Sequence, residues 1–278
     1  MSKKFIAGGC SFTYGHELSD DREGKVPSKL TWAHGLKEDL EHRQWLEQQI
    51  TPSDQYVCTA YPGSGNSGIA RRVFEQISED EPTQINCVVV MWSFLSRYDW
   101  ALPRHKALEK TRWATLSPWD TNAGNEEAFR NLAGSVTQQD QWSARAQSFA
   151  ETGAKSFAEA IYKHAANQYH ETYLSWKSII WLQNILEKRG IKYMFTLADN
   201  SLFYDEFKQH KDQDGLMRGL HSEIDFTKWF SFGDRMMGFN QWAMLEGYPR
   251  GTTHPLDEAH RDAVQLMLPT FKKLTGGK

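Results

Sequence analysis

Residues 4–11 read KFIAGGCS, a short apolar run from Lys4 to Gly8 closed by two glycines, a cysteine and a serine. Apolar runs of this length ended by glycine predict a buried strand followed by a tight turn. The same grammar recurs along the chain. Tyr56–Ala60 predicts a second strand and is closed by PGSGNSG at 62–68. Cys87–Trp92, CVVVMW, is the clearest buried strand, and WSFLSR follows it. Ile191–Leu197 predicts a fourth strand and Phe226–Phe232 a fifth.

Helical spacing fills the intervals. Leu30, Ala33, Leu36 and Leu40 recur with charges between them, and Ile69, Val73 and Ile77 lie on one face of a helix over 67–78. A long helix is predicted over 164–189, stopped by Gly190, and a last one following Pro255 and running to about Leu274. Strands alternating with helices imply an α/β fold with a mainly parallel sheet of about five strands, covered on both faces. Residues 1–278 read as a single domain. The weakly periodic stretch from about 100 to 160 is too long for a structureless loop, so it is predicted to be an insertion with short helices.

In open parallel sheets ligands bind beyond the carboxyl ends of the strands. GGCS, YPGSGN and WSFLSR all fall there, which marks one end of the sheet as the site.

Bulk properties exclude several function classes. The 278 residues are 40% hydrophobic and 24% charged, with a net charge of -3. Neither the balance nor any block of like charges suits a nucleic-acid or membrane-surface partner. Cys10, Cys58 and Cys87 form neither a paired framework nor a metal-ligand spacing, as expected of a reducing compartment. No apolar run has the length of a membrane span, and Phe5–Cys10 is too short for a signal-peptide core, so a cytoplasmic protein is expected. The histidines show no H-E-x-x-H, and the Walker and dinucleotide patterns are missing, so no metal or cofactor is implied. The 11 Trp, 10 Tyr and 15 Phe serve a core or line a groove.

Five residues stand out chemically. Ser11 is either a nucleophile beside outward-pointing backbone N–H groups or, with Thr13, a cap of a helical turn. Cys10 beside it reads as a small buried hydrophobe rather than a thiolate. His254 precedes Pro255, which pushes it into an extended loop ahead of the helix and leaves it free to face a strand end. His260 heads an apolar stripe with Val264, Met267 and Phe271, a structural placement. Asn66, in the glycine-rich turn, offers either an amide for an anionic oxygen or a helix cap.

GCSFTYG, YPGSGN and THPLDEAH, in this order, resemble the three blocks of the SGNH/GDSL hydrolases, esterases and lipases with a flavodoxin-like three-layer α/β/α fold. The GCSFT form is similar to variants frequent in phage and bacterial genomes, for which host cytoplasm or a virion would be the location. The resemblance covers the first hundred residues and the C-terminal end, not the insertion. It implies Ser11 as nucleophile and His254 as general base, cleaving an acyl or acetyl ester of a small molecule or carbohydrate through an acyl-enzyme. It implies an oxyanion hole from Ser11 N–H, Gly63 or Gly65, and Asn66.

The sequence departs from that pattern at three places. Cys10 replaces the aspartate before the serine. The third block reads MWSFLSRYD without its asparagine, so Asn66, Ser93 or Arg97 would have to serve, Ser93 and Arg97 at the substrate. The acid expected three residues before the histidine is Gly251. A Ser-His dyad, or Asp257, Asp234 or Glu246 as acid, would then operate, and the literal Asp-x-x-His match makes His260 with Asp257 the alternative base and acid. A binding or structural module that kept the fold and lost the chemistry is the competing expectation.

Overall fold

The structure, a computed structural model, describes residues 3–22, 24–48, 54–102, 113–121, 152–203 and 215–276. Four strands form a parallel sheet: β1 (Lys4–Gly8), β2 (Gln55–Cys58), β3 (Ile85–Trp92) and β6 (Tyr193–Leu197). Their order is β2-β1-β3-β6. The chain therefore steps to one side of β1 for β2 and to the other for β3, and the switch point where ligands bind lies between β1 and β3.

Successive side chains of a strand face opposite ways, and here both faces are apolar. Phe5, Ala7, Cys87, Val89 and Met91 face one layer, packed by α2 (Trp32–Gln48), α7 (Phe239–Leu245) and α8 (Asp257–Thr275). Ile6, Val88, Val90 and Trp92 face the other, packed by α3 (Asn66–Ser78) and α5 (Gln168–Lys188). This is the three-layer α/β/α arrangement with the flavodoxin-like strand order. The fully buried Trp32 and Trp92 put much of the aromatic excess into the core.

The expected fifth strand is a single bridge. Trp229 pairs in parallel with Phe195, and Phe230 N–H donates to the Phe195 carbonyl at 2.8 Å. Before it, the Asp225 side chain accepts from Thr227 N–H and pulls Phe226–Lys228 into a 3₁₀ turn, which consumes residues the strand would need. The long helix starts later than its periodicity suggests. Helix α4 (Ala154–His164) ends at His164, and Asn167 caps α5 by accepting from His170 N–H.

Most of the predicted insertion, residues 103–112 and 122–151, lies outside the described residues. Its described parts are an antiparallel hairpin, β4 (Tyr98–Ala101) with β5 (Trp113–Leu116), and α4. They share a small core of Leu102, Ala114, Leu116, Ala154 and Ala158. A short helix α6 (Gly215–Ser222) packs beside α5. Among the described residues no helix is long and apolar enough to cross a membrane, and no cluster of three or more His, Cys, Asp or Glu is placed to hold a metal ion.

Candidate functional site

The turn after β1 is forced tight by its neighbours. A Cβ on Gly9 would run into the Thr13 side chain and approach the Met91 carbonyl to 3.2 Å, so only glycine lets β1 turn this close to β3. The one-turn helix α1 (Ser11–Tyr14) begins at Ser11, with Cys10 buried as its N-cap, and ends on Gly15 at φ 87°. As the first helical residue, Ser11 has no intrahelical acceptor for its N–H, and among the described residues nothing else accepts it.

His254 reaches this serine from the far end of the chain. A bridge between Arg250 and Pro255, with Gly251 N–H donating to the His254 carbonyl at 2.9 Å, makes a tight turn ahead of α8. Pro255 and the cap Leu256 precede that helix, so His254 stands on the loop. Its Nε2 lies 2.7 Å from Ser11 Oγ. The edge of Phe12 packs against the imidazole, with ring centroids 4.8 Å apart. Both residues are almost buried, Ser11 at 7% and His254 at 9% exposure.

The group on the other imidazole nitrogen is Glu17, which the sequence reading did not single out. Its Oε2 lies 2.9 Å from His254 Nδ1, and Thr253 Oγ1 lies 2.8 Å from the same nitrogen. The carboxylate also accepts from three consecutive backbone N–H groups, of Thr252 at 3.0 Å, Thr253 at 3.0 Å and His254 at 2.9 Å. Successive N–H groups of this kind form an anion-holding concavity. Burial alone would push the Glu17 carboxyl up. The hydrogen bonds from the His254 ring and the Thr253 and His254 N–H groups, with the imidazole's charge, outweigh it and hold the carboxyl at about 2.

Glu17 also explains Gly251, the position where the resemblance placed the acid. A Cβ there would lie 2.9 Å from Glu17 Oε2. The volume for a carboxylate at that place is filled from the loop after α1 instead.

The remaining candidates are dispersed. Asp257, at the start of α8, accepts from Ser19 N–H at 3.0 Å and from the Ser19 hydroxyl, not from His254, so it ties the Glu17 loop to the helix. His260 lies on the buried face of α8, where its Nδ1 accepts the Trp32 N–H at 3.2 Å, and burial holds its pKa down at about 3. Asp234 and Glu246 are exposed and meet neither serine nor imidazole.

Asn66 has both amide hydrogens committed, to the Ser93 carbonyl at 3.1 Å and Ser175 Oγ at 3.0 Å, while its oxygen accepts Ser93 N–H at 2.7 Å. Its side chain locks α3 to the end of β3 and has no donor left for a ligand. Ser93 is fully buried in the same network, and its Oγ accepts from Arg97 Nη1 at 2.8 Å. Arg97 Nη1 also donates to the Ser64 carbonyl at 3.3 Å, and the guanidinium lies over the Phe94 ring.

Gly63 and Gly65 belong to a loop that runs alongside the serine turn, since Thr59 N–H donates to the Ala7 carbonyl and Tyr61 N–H to the Gly9 carbonyl. Gly63 takes the left-handed position of its turn, φ 79°, facing open space. Gly65 caps α3, and its N–H has no acceptor among the described residues. Another neighbour escaped the sequence reading. The His16 ring meets the His254 ring edge-on, centroids 6.0 Å apart, and burial followed by the charge of His254 lowers its pKa.

No family model matches the chain, and no curated protein matches it in sequence. Solved structures are similar to it at low identity. The chain matches TesA at 9% identity and a TM-score of 0.45, over 98% of this chain and 99% of that one. It matches the psychrotrophic esterase EstA from Pseudoalteromonas sp., inhibited by monoethylphosphonate, at 10% identity and a TM-score of 0.44, over 99% and 100%. A GDSL-like lipase from Bacteroides thetaiotaomicron matches at 11% identity and a TM-score of 0.38, over 98% and 88%. With similarities this remote, the fold assignment rests on the strand order and the two helical layers.

Proposed function

We propose that the chain is a serine-dependent ester hydrolase, with Ser11 as nucleophile, His254 as general base and Glu17 as the acid that orients it. The observation that carries this reading is the unbroken relay from Ser11 Oγ to His254 Nε2 at 2.7 Å and from His254 Nδ1 to Glu17 Oε2 at 2.9 Å. An ionised Glu17 keeps the imidazole proton on Nδ1 and leaves Nε2 as acceptor for the serine proton. As Oγ attacks the ester carbonyl, Nε2 takes that proton. The backbone N–H groups of Ser11 and Gly65 hold the developing oxyanion. The imidazolium then protonates the leaving alcohol, and a water repeats the sequence on the acyl-enzyme, returning Ser11 and releasing the acid. Glu17 stays charged throughout, since its carboxyl is held at about 2.

The substrate is an acyl or acetyl ester. The competing module without chemistry draws its motive from the glycine at 251, the altered third block and the aromatic-rich insertion, and a carboxylate on Nδ1 answers the first of these. A fluorophosphonate probe tests the proposal. Wild type should be labelled, Ser11→Ala should not be, and His254→Ala should slow labelling far more than His260→Ala. A wild-type chain that stays unlabelled beside a reactive control esterase would sink it.

A further inference from the structure

The oxyanion site lacks the asparagine that the third block would supply, and the one asparagine nearby spends its amide on Ser93 and Ser175. Two guanidinium groups lie behind the glycine loop instead. Arg97 and Arg72 both converge on Ser64, the residue before Gly65. Arg97 Nη1 donates to the Ser64 carbonyl at 3.3 Å and to Ser93 Oγ at 2.8 Å. Arg72 Nη2 donates to Ser64 Oγ, which in turn donates to the Tyr61 carbonyl at 2.5 Å, while Arg72 Nε holds the Thr59 carbonyl at 3.1 Å. Neither guanidinium has a carboxylate within ion-pair reach among the described residues.

The Ser64 carbonyl and the Gly65 N–H belong to one peptide unit. In a planar trans peptide they point in opposite directions. A donor fixed on the carbonyl therefore fixes the aim of the N–H, and a charged donor polarises the unit and strengthens the N–H as a donor. The close approach is built in, since a Cβ on Gly65 would collide with the Arg97 carbonyl. Arg97 is itself seated over Phe94, which packs on Phe12 beside the imidazole, with ring centroids 6.0 Å apart.

We propose that Arg97 is a positioning residue of the oxyanion hole: it grips the Ser64 carbonyl from behind, so that the Gly65 N–H is aimed and charged for the oxyanion in place of the missing asparagine side chain. This rests on the serine-hydrolase reading above. Arg72 supports the same peptide through the Ser64 hydroxyl.

The test uses the full chain with 4-nitrophenyl acetate, fluorophosphonate inactivation and thermal melting. Arg97→Gln should lower kcat roughly 10- to 100-fold and slow inactivation in proportion. KM should stay within about threefold, as for a group acting only in the transition state. Both hydrogen bonds leave from one nitrogen, so the single ammonium of Arg97→Lys should restore most of kcat.

An Arg97→Gln variant with the wild-type kcat overturns the inference. So does an Arg97→Lys variant as impaired as Arg97→Gln with melting temperatures falling in step, since a loop tether alone would then explain both. If wild type neither hydrolyses the ester nor takes the label, the serine-hydrolase reading has failed and this inference falls with it.

Discussion

Glu17 sits at φ 68°, a left-handed conformation that costs a residue with a Cβ about 1–2 kcal/mol. Backbone strain of this kind persists where surrounding contacts over-determine it, and here three N–H groups and an imidazole hold the carboxylate. Nothing in the sequence marked this residue, because a glutamate in a polar loop has no periodicity and its partners lie over two hundred positions away. Ser11 and His254 were legible as candidates because strand ends and His-Pro junctions carry local signals. The glycine at 251 was legible only as an absence, and its meaning, space for Glu17, is a tertiary fact.

A swap follows at this scale. Glu17→Gly should relieve the backbone while lowering kcat by about 10²–10⁴-fold. Gly251→Asp alone should lower activity, since its Cβ would lie 2.9 Å from Glu17 Oε2. Together they should recover at least about tenfold over Glu17→Gly, measured as kcat/KM on 4-nitrophenyl acetate. A double variant no better than Glu17→Gly would refute the exchange of acids.

Among the elements, the last helix sets the two histidines apart. His254 precedes it, on a loop, whereas His260 lies one turn in, on the face that packs against α2. Helical spacing with Val264 and Met267 predicted that burial, while the Asp-x-x-His match to 257 and 260 pointed to a pairing the structure does not make. The shortfall of the fifth strand came from a local competitor, the Asp225 side chain, that apolar patterning does not weigh.

The buried His260 ring also makes stability pH-dependent. Its pKa falls from about 6.5 unfolded to about 3 folded, through burial first and then the nearby charge of His254, with Asp257 opposing. A depressed folded value means stability that is complete above pH 6.5 and is lost as pH falls toward 3. Glu17 adds a second acid limb, present above about pH 4.5 and lost toward 2. Urea midpoints of wild type should therefore decline from pH 7 to pH 4. His260→Gln, which can still accept the Trp32 N–H, should show a shallower decline over that interval. Parallel curves would show that His260 does not carry the first limb.

Over the whole molecule, the β4–β5 hairpin is fastened to α3 and to α4. The loop from Ser93 to Arg97 leads directly into β4, and the Tyr162 hydroxyl on α4 lies between the Ser96 and Leu116 carbonyls, 2.9 Å from each. The fastening centres on Asp99, a carboxylate only 2% exposed, which accepts from Arg71 Nε at 2.9 Å while Arg71 stacks on Trp113. Breaking such a pair strands a charge and costs about 3–5 kcal/mol. Apolar runs closed by turn residues made the central sheet readable, whereas this docking joins residues whose types have no pattern in sequence.

Its fit can be tested at Gly68 on α3, where a Cβ would lie 2.7 Å from Asp99 Oδ1. Gly68→Ala should destabilise wild type by about 1–3 kcal/mol through overpacking. In the Asp99→Ala background the carboxylate is gone and only a Cβ at 3.3 Å remains, so the ordinary helix preference of alanine, up to about 1 kcal/mol, should offset the residual crowding and remove most of the penalty. Urea unfolding of the four variants gives the coupling as a double-mutant cycle. Additive effects would mean that the hairpin does not dock on α3 through Asp99. Loss of most of the penalty, with faster amide exchange across 98–101 and 113–116 in Asp99→Ala, would establish that docking as the contact through which the hairpin holds the loop from Ser93 to Arg97.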